Sequence, residues 1–239
     1  MQRIENANAI FELGYWAIRG LAQPIRFLLA HAGVEISEVR FGINQDGSLI
    51  EDESPDWQDQ KDALSLPFPN VPYLIDLDRP DEIRLTQSNT IMRFLARRYD
   101  YYGDSVTDQT WIDLLQDEAY DFRNSIVETA YTLDPDYEKA FEEFKATSVP
   151  RYLDSFEYHL SNRKLQTCFV GSRISLVDFI FYELIWQVRL MLPGSITVTN
   201  RPTLGLFLES FEKMPRITAY MAGDDYIERP INSPWASFC

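Results

Sequence analysis

The sequence predicts a small α/β domain with a mixed sheet, followed by an all-α half. Three observations carry that reading. Strand-like and helix-like stretches alternate through the first hundred residues or so, strand signals disappear beyond about residue 105, and the polar stretch DYYGDSVTD separates the two regimes.

Each element has its own reason. FELGYW is a short apolar strand ending near Tyr15. An Arg-Gly pair follows, Gly20 punctuates the chain, and Pro24 is tolerated near a helix start because its missing N–H is an orphan there. Ile25, Leu28, Leu29 and Ala32 then recur at helical spacing until Gly33 stops the helix. ISEVRFG reads as a second strand. Residues 42–56, GINQDGSLIEDESPD, form a long acidic loop, and Trp57 opens a short helix-like stretch. YLID and EIRLT make a strand pair across the turn LDRPD, and Ser88 caps a helix with Ile91, Phe94 and Leu95 on one face. The predicted order is β-α-β-α-β-β-α over residues 10–99, after a nine-residue extension (1–9) expected to be mobile. Residues 100–106 form the linker. The second domain, 107–239, reads as helices over about 107–132, 136–161 and 175–191, with two short ones after Pro202. Within it, Ser175 and Asp178 in ISLVDF form a capping-box variant that serves structure.

Composition narrows the function. The 239-residue chain is 45% hydrophobic, enough for a sizeable core. A net charge of −15 repels phosphate backbones and anionic membranes, so nucleic acid and membrane surfaces are not expected partners. Cys168 and Cys239 make neither a disulfide framework nor a zinc pattern, and His31 and His159 lie far apart without ligand-like neighbours. Cys168 reads as a buried small residue, His31 as a helix C-terminal residue and His159 as a surface residue. No metal is expected. The N-terminus carries no signal-peptide pattern, and no stretch approaches the ~20 apolar residues of a membrane span, which makes a cytoplasmic location the expectation.

Three motifs bear on chemistry. In FPNVPYLID, Val71-Pro72 enters a strand. Alone it reads as an ordinary edge proline; as a cis bond it would turn the Val71 backbone outward to pair with an extended peptide. In TQSNTI, the helix opening at Ser88 offers N–H groups and a dipole to a carboxylate, with Gln87 adding an amide. Together they suggest a pocket for a short acidic peptide. Tyr15 stands at a strand exit. A tyrosine's ordinary pKa near 10 makes it a neutral donor at pH 7, able to stabilise a bound thiolate. It could equally be a core tyrosine with a satisfied hydroxyl.

With these residues collected, the chain resembles a cytosolic glutathione S-transferase, most like the mu class. The resemblance rests on LGYWAIRGLAQPIRFLL, LPFPNVPYLID, TQSNTIMRFLAR and GSRISLVDF in that order, and runs from about Leu13 to RPINSPW. It implies a thioredoxin-like N-terminal domain, an all-α domain contributing the electrophile pocket, and a homodimer. Glutathione would be cosubstrate, with no other cofactor. Tyr15 would hydrogen-bond the glutathione sulfur and Trp16 would line the cleft. Val71 would pair with the cysteinyl backbone across a cis Pro72, and Gln87 and Ser88 would hold the γ-glutamyl end. Trp57, Lys61 and Asn70 match positions near the glycyl end and the peptide backbone. Asp113 matches an acid that reaches the partner subunit's glutathione, and Phe68 an aromatic key between helices of the other subunit. Two positions depart from the pattern. Ser54 replaces an expected arginine, removing a cationic contact to the glycyl carboxylate, and Arg123 stands near an expected electrophile-site tyrosine. The implied activity is conjugation of the glutathione thiolate to hydrophobic electrophiles, by aromatic substitution or conjugate addition. A non-catalytic binder of apolar ligands, a structural relative and a glutathione-dependent isomerase, such as one acting on prostaglandins, are the competing readings.

Overall fold

The computed structural model describes residues 1–42, 55–197 and 199–239. Most of the acidic loop 42–56, and Ser54 with it, lies outside the described residues. Two compact units emerge. The first holds residues 1–95 with Gly223–Trp235 and Cys239; the second holds Ala96–Ala222 and Ala236–Phe238.

The first unit is built on β1 (Gln2–Ile4), β2 (Phe11–Trp16), α1 (Gln23–Ala32), β3 (Ile36–Phe41), α2 (Pro55–Gln60), β4 (Tyr73–Asp76), β5 (Arg84–Thr86) and most of α3 (Ser88–Arg98). From β2 onward this is the expected order. The first nine residues differ from expectation: Gln2–Ile4 pair antiparallel with Arg40, Val39 and Glu38 of β3, adding an edge strand. The sheet order is β1-β3-β2-β4-β5. β2 runs parallel to β3, and β4 runs antiparallel to both β2 and β5. This is the mixed sheet expected of the first domain. Its centre is dry: Phe11, Leu13, Val39, Phe41, Tyr73 and Leu74 are fully buried. Gly14 of β2 lies directly under the Tyr73 ring, where an added Cβ would sit 2.0 Å from a ring carbon. Only glycine lets that ring cross the strand.

The second unit is helical, as expected: α4 (Val106–Ala130), α5 (Tyr137–Ala146), α6 (Ser148–Ser161), α7 (Leu176–Met191), α8 (Pro202–Glu212) and α9 (Pro215–Met221). The single helix expected over 136–161 is two. Its break at Thr147 follows from Pro150, whose ring would clash with the Ala146 carbonyl in a continuous helix but is harmless in the first turn of α6. α7 is apolar nearly all round and buried accordingly. Around it Phe169 stacks on Phe181 at 4.1 Å, and Phe156 meets Phe181 edge-on at 4.6 Å. The capping box forms. The buried Asp178 carboxylate accepts the Ser175 N–H and the Phe169 N–H, both at 2.7 Å, and the Ser175 hydroxyl at 2.9 Å. His159 is half-buried rather than on the surface, its Nε2 2.8 Å from the Phe169 carbonyl. Within this unit the stretch after α3 is pinned by Arg173, which bonds Asp100 at 2.8 Å and also Asp104.

Candidate active site

Strand register collects the expected residues. Gly14 of β2 pairs with Tyr73 of β4, and Tyr73 pairs with Thr86 of β5. Because β4 runs antiparallel to both neighbours, the next positions outward from this row share one end of the sheet. Those positions are Tyr15 on β2, Pro72 and Val71 before β4, and Gln87 and Ser88 after β5. Tyr15 also shares a small buried cluster with Ile18 and Ala22, against which Trp16, Leu21 and Val71 pack.

Tyr15 is 5% exposed, and its Oη accepts the Leu21 N–H at 3.0 Å. An N–H donated to one lone pair orients the hydroxyl and strengthens it as a donor. Gly20 makes this geometry possible. Its φ is +41°, and an added Cβ would lie 2.5 Å from the Tyr15 Oη. Trp16 is half-buried, edge-on to Phe41 at 6.3 Å.

The Val71-Pro72 bond is cis. The Val71 N–H, expected to face a peptide, donates to Asn70 Oδ1 at 2.9 Å. The Asn70 side chain itself is exposed.

At the second motif the cap lies one residue earlier than expected. α3 starts at Ser88, and Gln87 is the capping residue, its carbonyl accepting the Ile91 N–H at 3.0 Å. Gln87 is held at φ +70°, a left-handed conformation that costs a non-glycine residue roughly 1–3 kcal/mol. A glycine at this position would adopt the same φ without that cost. If Gln87 holds the carboxylate expected at this helix start, Gln87→Gly is expected to leave the thermal midpoint unchanged or raised, while affinity for that ligand falls about tenfold, a loss near 1.4 kcal/mol. Calorimetric binding beside a melting curve reads both. A lowered midpoint with unchanged affinity would remove Gln87 from the site.

Other expected contacts are placed less directly. Trp57 is 6% exposed and belongs to the aromatic core of the first unit, 5.4 Å from Phe41 and stacked on Tyr73 at 6.3 Å. Lys61 is half-buried and donates to Gln58 Oε1 at 2.6 Å. Phe68 is 77% exposed. In the second unit, Asp113 accepts the Tyr102 hydroxyl at 2.5 Å and lines a cavity of about 510 Å³ with Arg97 and Gln109. Arg123 on α4 reaches Asn124 at 3.4 Å.

A buried charged layer, for which the sequence carries no local signal, lies on the strand paired with Tyr15 and on α1. Arg26 donates to Glu38 Oε1 through Nε at 2.7 Å and Nη2 at 2.5 Å, and Arg40 donates to Glu38 Oε2 at 2.9 Å. Burial raises the Glu38 carboxyl, but the two guanidinium groups overcome it and hold the group below the usual carboxylate range. Arg26 also donates to the Ile18 carbonyl at 2.9 Å, fixing the turn after Tyr15 from below. Arg19, fully buried in the same turn, was legible only as a cation inside an apolar run.

Comparison with known proteins gives one family. Its N-terminal model, described as Glutathione S-transferase, N-terminal domain, matches residues 11–97, and the C-terminal domain model matches residues 120–224. The chain is 34% identical over 226 residues to Glutathione S-transferase Mu 1 of Rattus norvegicus, covering 95% of this chain and 97% of the relative. It is 33% identical over 222 residues to Glutathione S-transferase 2 of Gallus gallus, covering 93% and 94%. Among solved structures, the pi-class glutathione S-transferase of Onchocerca volvulus superposes with a TM-score of 0.78 at 24% identity, covering 95% of this chain and 99% of that one, and so shares the fold.

Proposed function

Because this chain belongs to the glutathione S-transferase family and is most like its mu-class members, we propose that it joins the thiolate of glutathione to hydrophobic electrophiles, with Tyr15 stabilising that thiolate. The observation that carries the reading is the Tyr15 hydroxyl, held by the Leu21 N–H at the sheet end it shares with Val71 and Gln87.

The arrangement suits the tripeptide. Gln87 and Tyr15 extend from strands two places apart, about 10 Å by ordinary strand spacing, within the reach of a γ-glutamyl-cysteine unit. The γ-glutamyl carboxylate meets the amide of Gln87, the hydroxyl of Ser88 and the N-terminus of α3. The cysteinyl backbone pairs with Val71 once Asn70 releases its N–H. The thiol then lies at Tyr15. Its proton leaves to solvent, and the Tyr15 O–H donates to the sulfur anion without itself ionising. The thiolate forms a bond to an electrophilic carbon; with 1-chloro-2,4-dinitrobenzene, the carbon–chlorine bond breaks and chloride departs. Trp16 lines the cleft, and Lys61 and Trp57 belong to the glycyl end. Asp113 is offered to the partner subunit's glutathione, and Arg123 belongs to the electrophile's surroundings. No cofactor other than the cosubstrate enters this scheme.

Glutathione-dependent turnover of 1-chloro-2,4-dinitrobenzene tests the activity. Measurable turnover supports it; glutathione binding without turnover of this or any other electrophile would favour a binding protein. A binder has no need for a phenol locked as Tyr15 is.

A cytoplasmic homodimer completes the proposal. No helix among the described residues is long and apolar enough to cross a membrane. Phe68, 77% exposed, is the aromatic key to the partner. Phe68→Ser is expected to weaken dimerisation about 30-fold or more and to lower activity with it, as for an apolar anchor worth at least 2 kcal/mol. Sedimentation showing an intact dimer with normal turnover would remove that role.

A further inference from the structure

Three consecutive N–H groups after Tyr15 have three destinations. The Arg19 N–H donates to the Pro230 carbonyl at 3.0 Å, and the Gly20 N–H to the Ile231 carbonyl at 3.0 Å. The Leu21 N–H donates to Tyr15 Oη, also at 3.0 Å. Two bonds thus tie the turn to a segment far along the chain, and the third sets the phenol. The Gly20 and Leu21 amides belong to successive peptide planes joined at one Cα, and the Tyr15 Oη leaves no room there for a Cβ. The bonds that hold Arg19 and Gly20 therefore restrict where the donor that orients Tyr15 can point.

The side chain of Arg19 fastens the same segment. Fully buried, its Nη1 donates to the Ile227 carbonyl at 2.6 Å and to the Tyr226 hydroxyl at 2.8 Å. Its guanidinium lies 5.2 Å from the centre of the Tyr226 ring and 5.7 Å from that of Phe27. Arg40, on the strand paired with Tyr15, donates to the Asp225 carbonyl at 2.6 Å. Two buried cations are therefore spent on the backbone of one non-helical stretch. A buried guanidinium stripped of such acceptors is strongly unfavourable, which makes the attachment specific.

We propose that residues 225–231 are a strap that positions the Tyr15 hydroxyl, and that Arg19 is the positioning residue that locks it. The proposal rests on the reading of Tyr15 as the thiolate stabiliser. It differs from simple tail packing in one respect: loosening the strap disturbs the ionisation of bound glutathione more than its affinity.

The test uses the full chain with Arg19→Met, Arg19→Lys and Tyr226→Phe, and Tyr15→Phe as control. Two quantities are measured: hydrogen exchange at Arg19, Gly20 and Leu21, and the titration of the bound glutathione thiol. In Arg19→Met and Tyr226→Phe, exchange at Gly20 and Leu21 is expected to accelerate about tenfold or more. The thiol pKa rises by about 1 unit while glutathione affinity changes less than about threefold. Arg19→Lys, keeping a cation, recovers part of both. Tyr15→Phe raises the thiol pKa and leaves Arg19 and Gly20 protected. Unchanged exchange in the strap variants overturns the proposal. So does faster exchange with an unmoved thiol pKa, where Tyr15→Phe does move it; the Tyr15 reading then survives. If Tyr15→Phe leaves the thiol pKa unmoved, the Tyr15 reading itself fails and the strap's role falls with it. Should Arg19→Met not fold, Tyr226→Phe carries both measurements.

Discussion

Tyr15→Phe is expected to lower kcat/KM for 1-chloro-2,4-dinitrobenzene about 25-fold at pH 7, approaching 100-fold below pH 6, with glutathione affinity nearly unchanged. The magnitude follows from the bond removed. If the hydroxyl depresses the thiol pKa by ~2 units, it supplies ~2.7 kcal/mol to the thiolate, and its loss leaves mostly unreactive thiol at pH 7. The deficit shrinks as pH rises and the thiol ionises unaided, so the ratio of wild-type to variant rates falls on the alkaline side. There is a structural cost as well. The half-buried Leu21 N–H loses its acceptor, worth about 1 kcal/mol, so the melting point also drops. Rates corrected for folded fraction separate the two effects. A variant with normal turnover over the whole pH range would assign Tyr15 to the core alone.

The second large effect is expected at a residue that touches no substrate. Glu38 is 4% exposed and holds Arg26 and Arg40 together. Glu38→Gln leaves two buried guanidinium groups without their counter-charge, a loss of about 3–5 kcal/mol. For a chain of this size that is a fall of roughly 10 °C in Tm. The pH dependence has a definite sign. The folded-state pKa of Glu38 lies below its unfolded value, so its contribution is fully present above the unfolded pKa, near 4.3, and is lost as pH falls through the folded pKa. Wild type therefore loses stability on the acid side through this group, whereas Glu38→Gln starts lower and is flatter there. Activity should fall with stability, because Arg26 supports the Ile18 carbonyl and Arg40 reaches the strap. Urea unfolding between pH 3 and pH 7 measures the slope; equal slopes in both proteins would contradict the role given to the ion triad.

Much of the candidate site was legible because its residues are punctuation. Tyr15 closes a strand, Val71-Pro72 opens one and Gln87-Ser88 opens a helix, and sequence patterns are strongest at such boundaries. Strand pairing then places these three boundaries at one end of the sheet. What escaped depends on distant contacts. The three residues of β1 are too few to show a strand period, and only their pairing with β3 makes them a strand. Gln87 as the cap went unseen because glutamine at a positive φ has no propensity signal. The helix break at Thr147 was available from Pro150, but apolar periodicity continues across it. The packing of Trp57 against Phe41 and Tyr73 appears only in the fold, because both partners are distant in sequence. Arg19 is the most instructive case. An arginine among apolar residues signals a buried partner, but the partner lies in a segment that returns from the far end of the chain.

The central claim is that this fold lowers the pKa of the glutathione thiol through Tyr15. Titrating the ultraviolet thiolate band of glutathione bound to the wild-type protein tests it most directly. A bound thiol ionising about 2 units below an ordinary thiol near 8.5, with the shift abolished in Tyr15→Phe, is the predicted result. A bound thiol that ionises like free glutathione would contradict it.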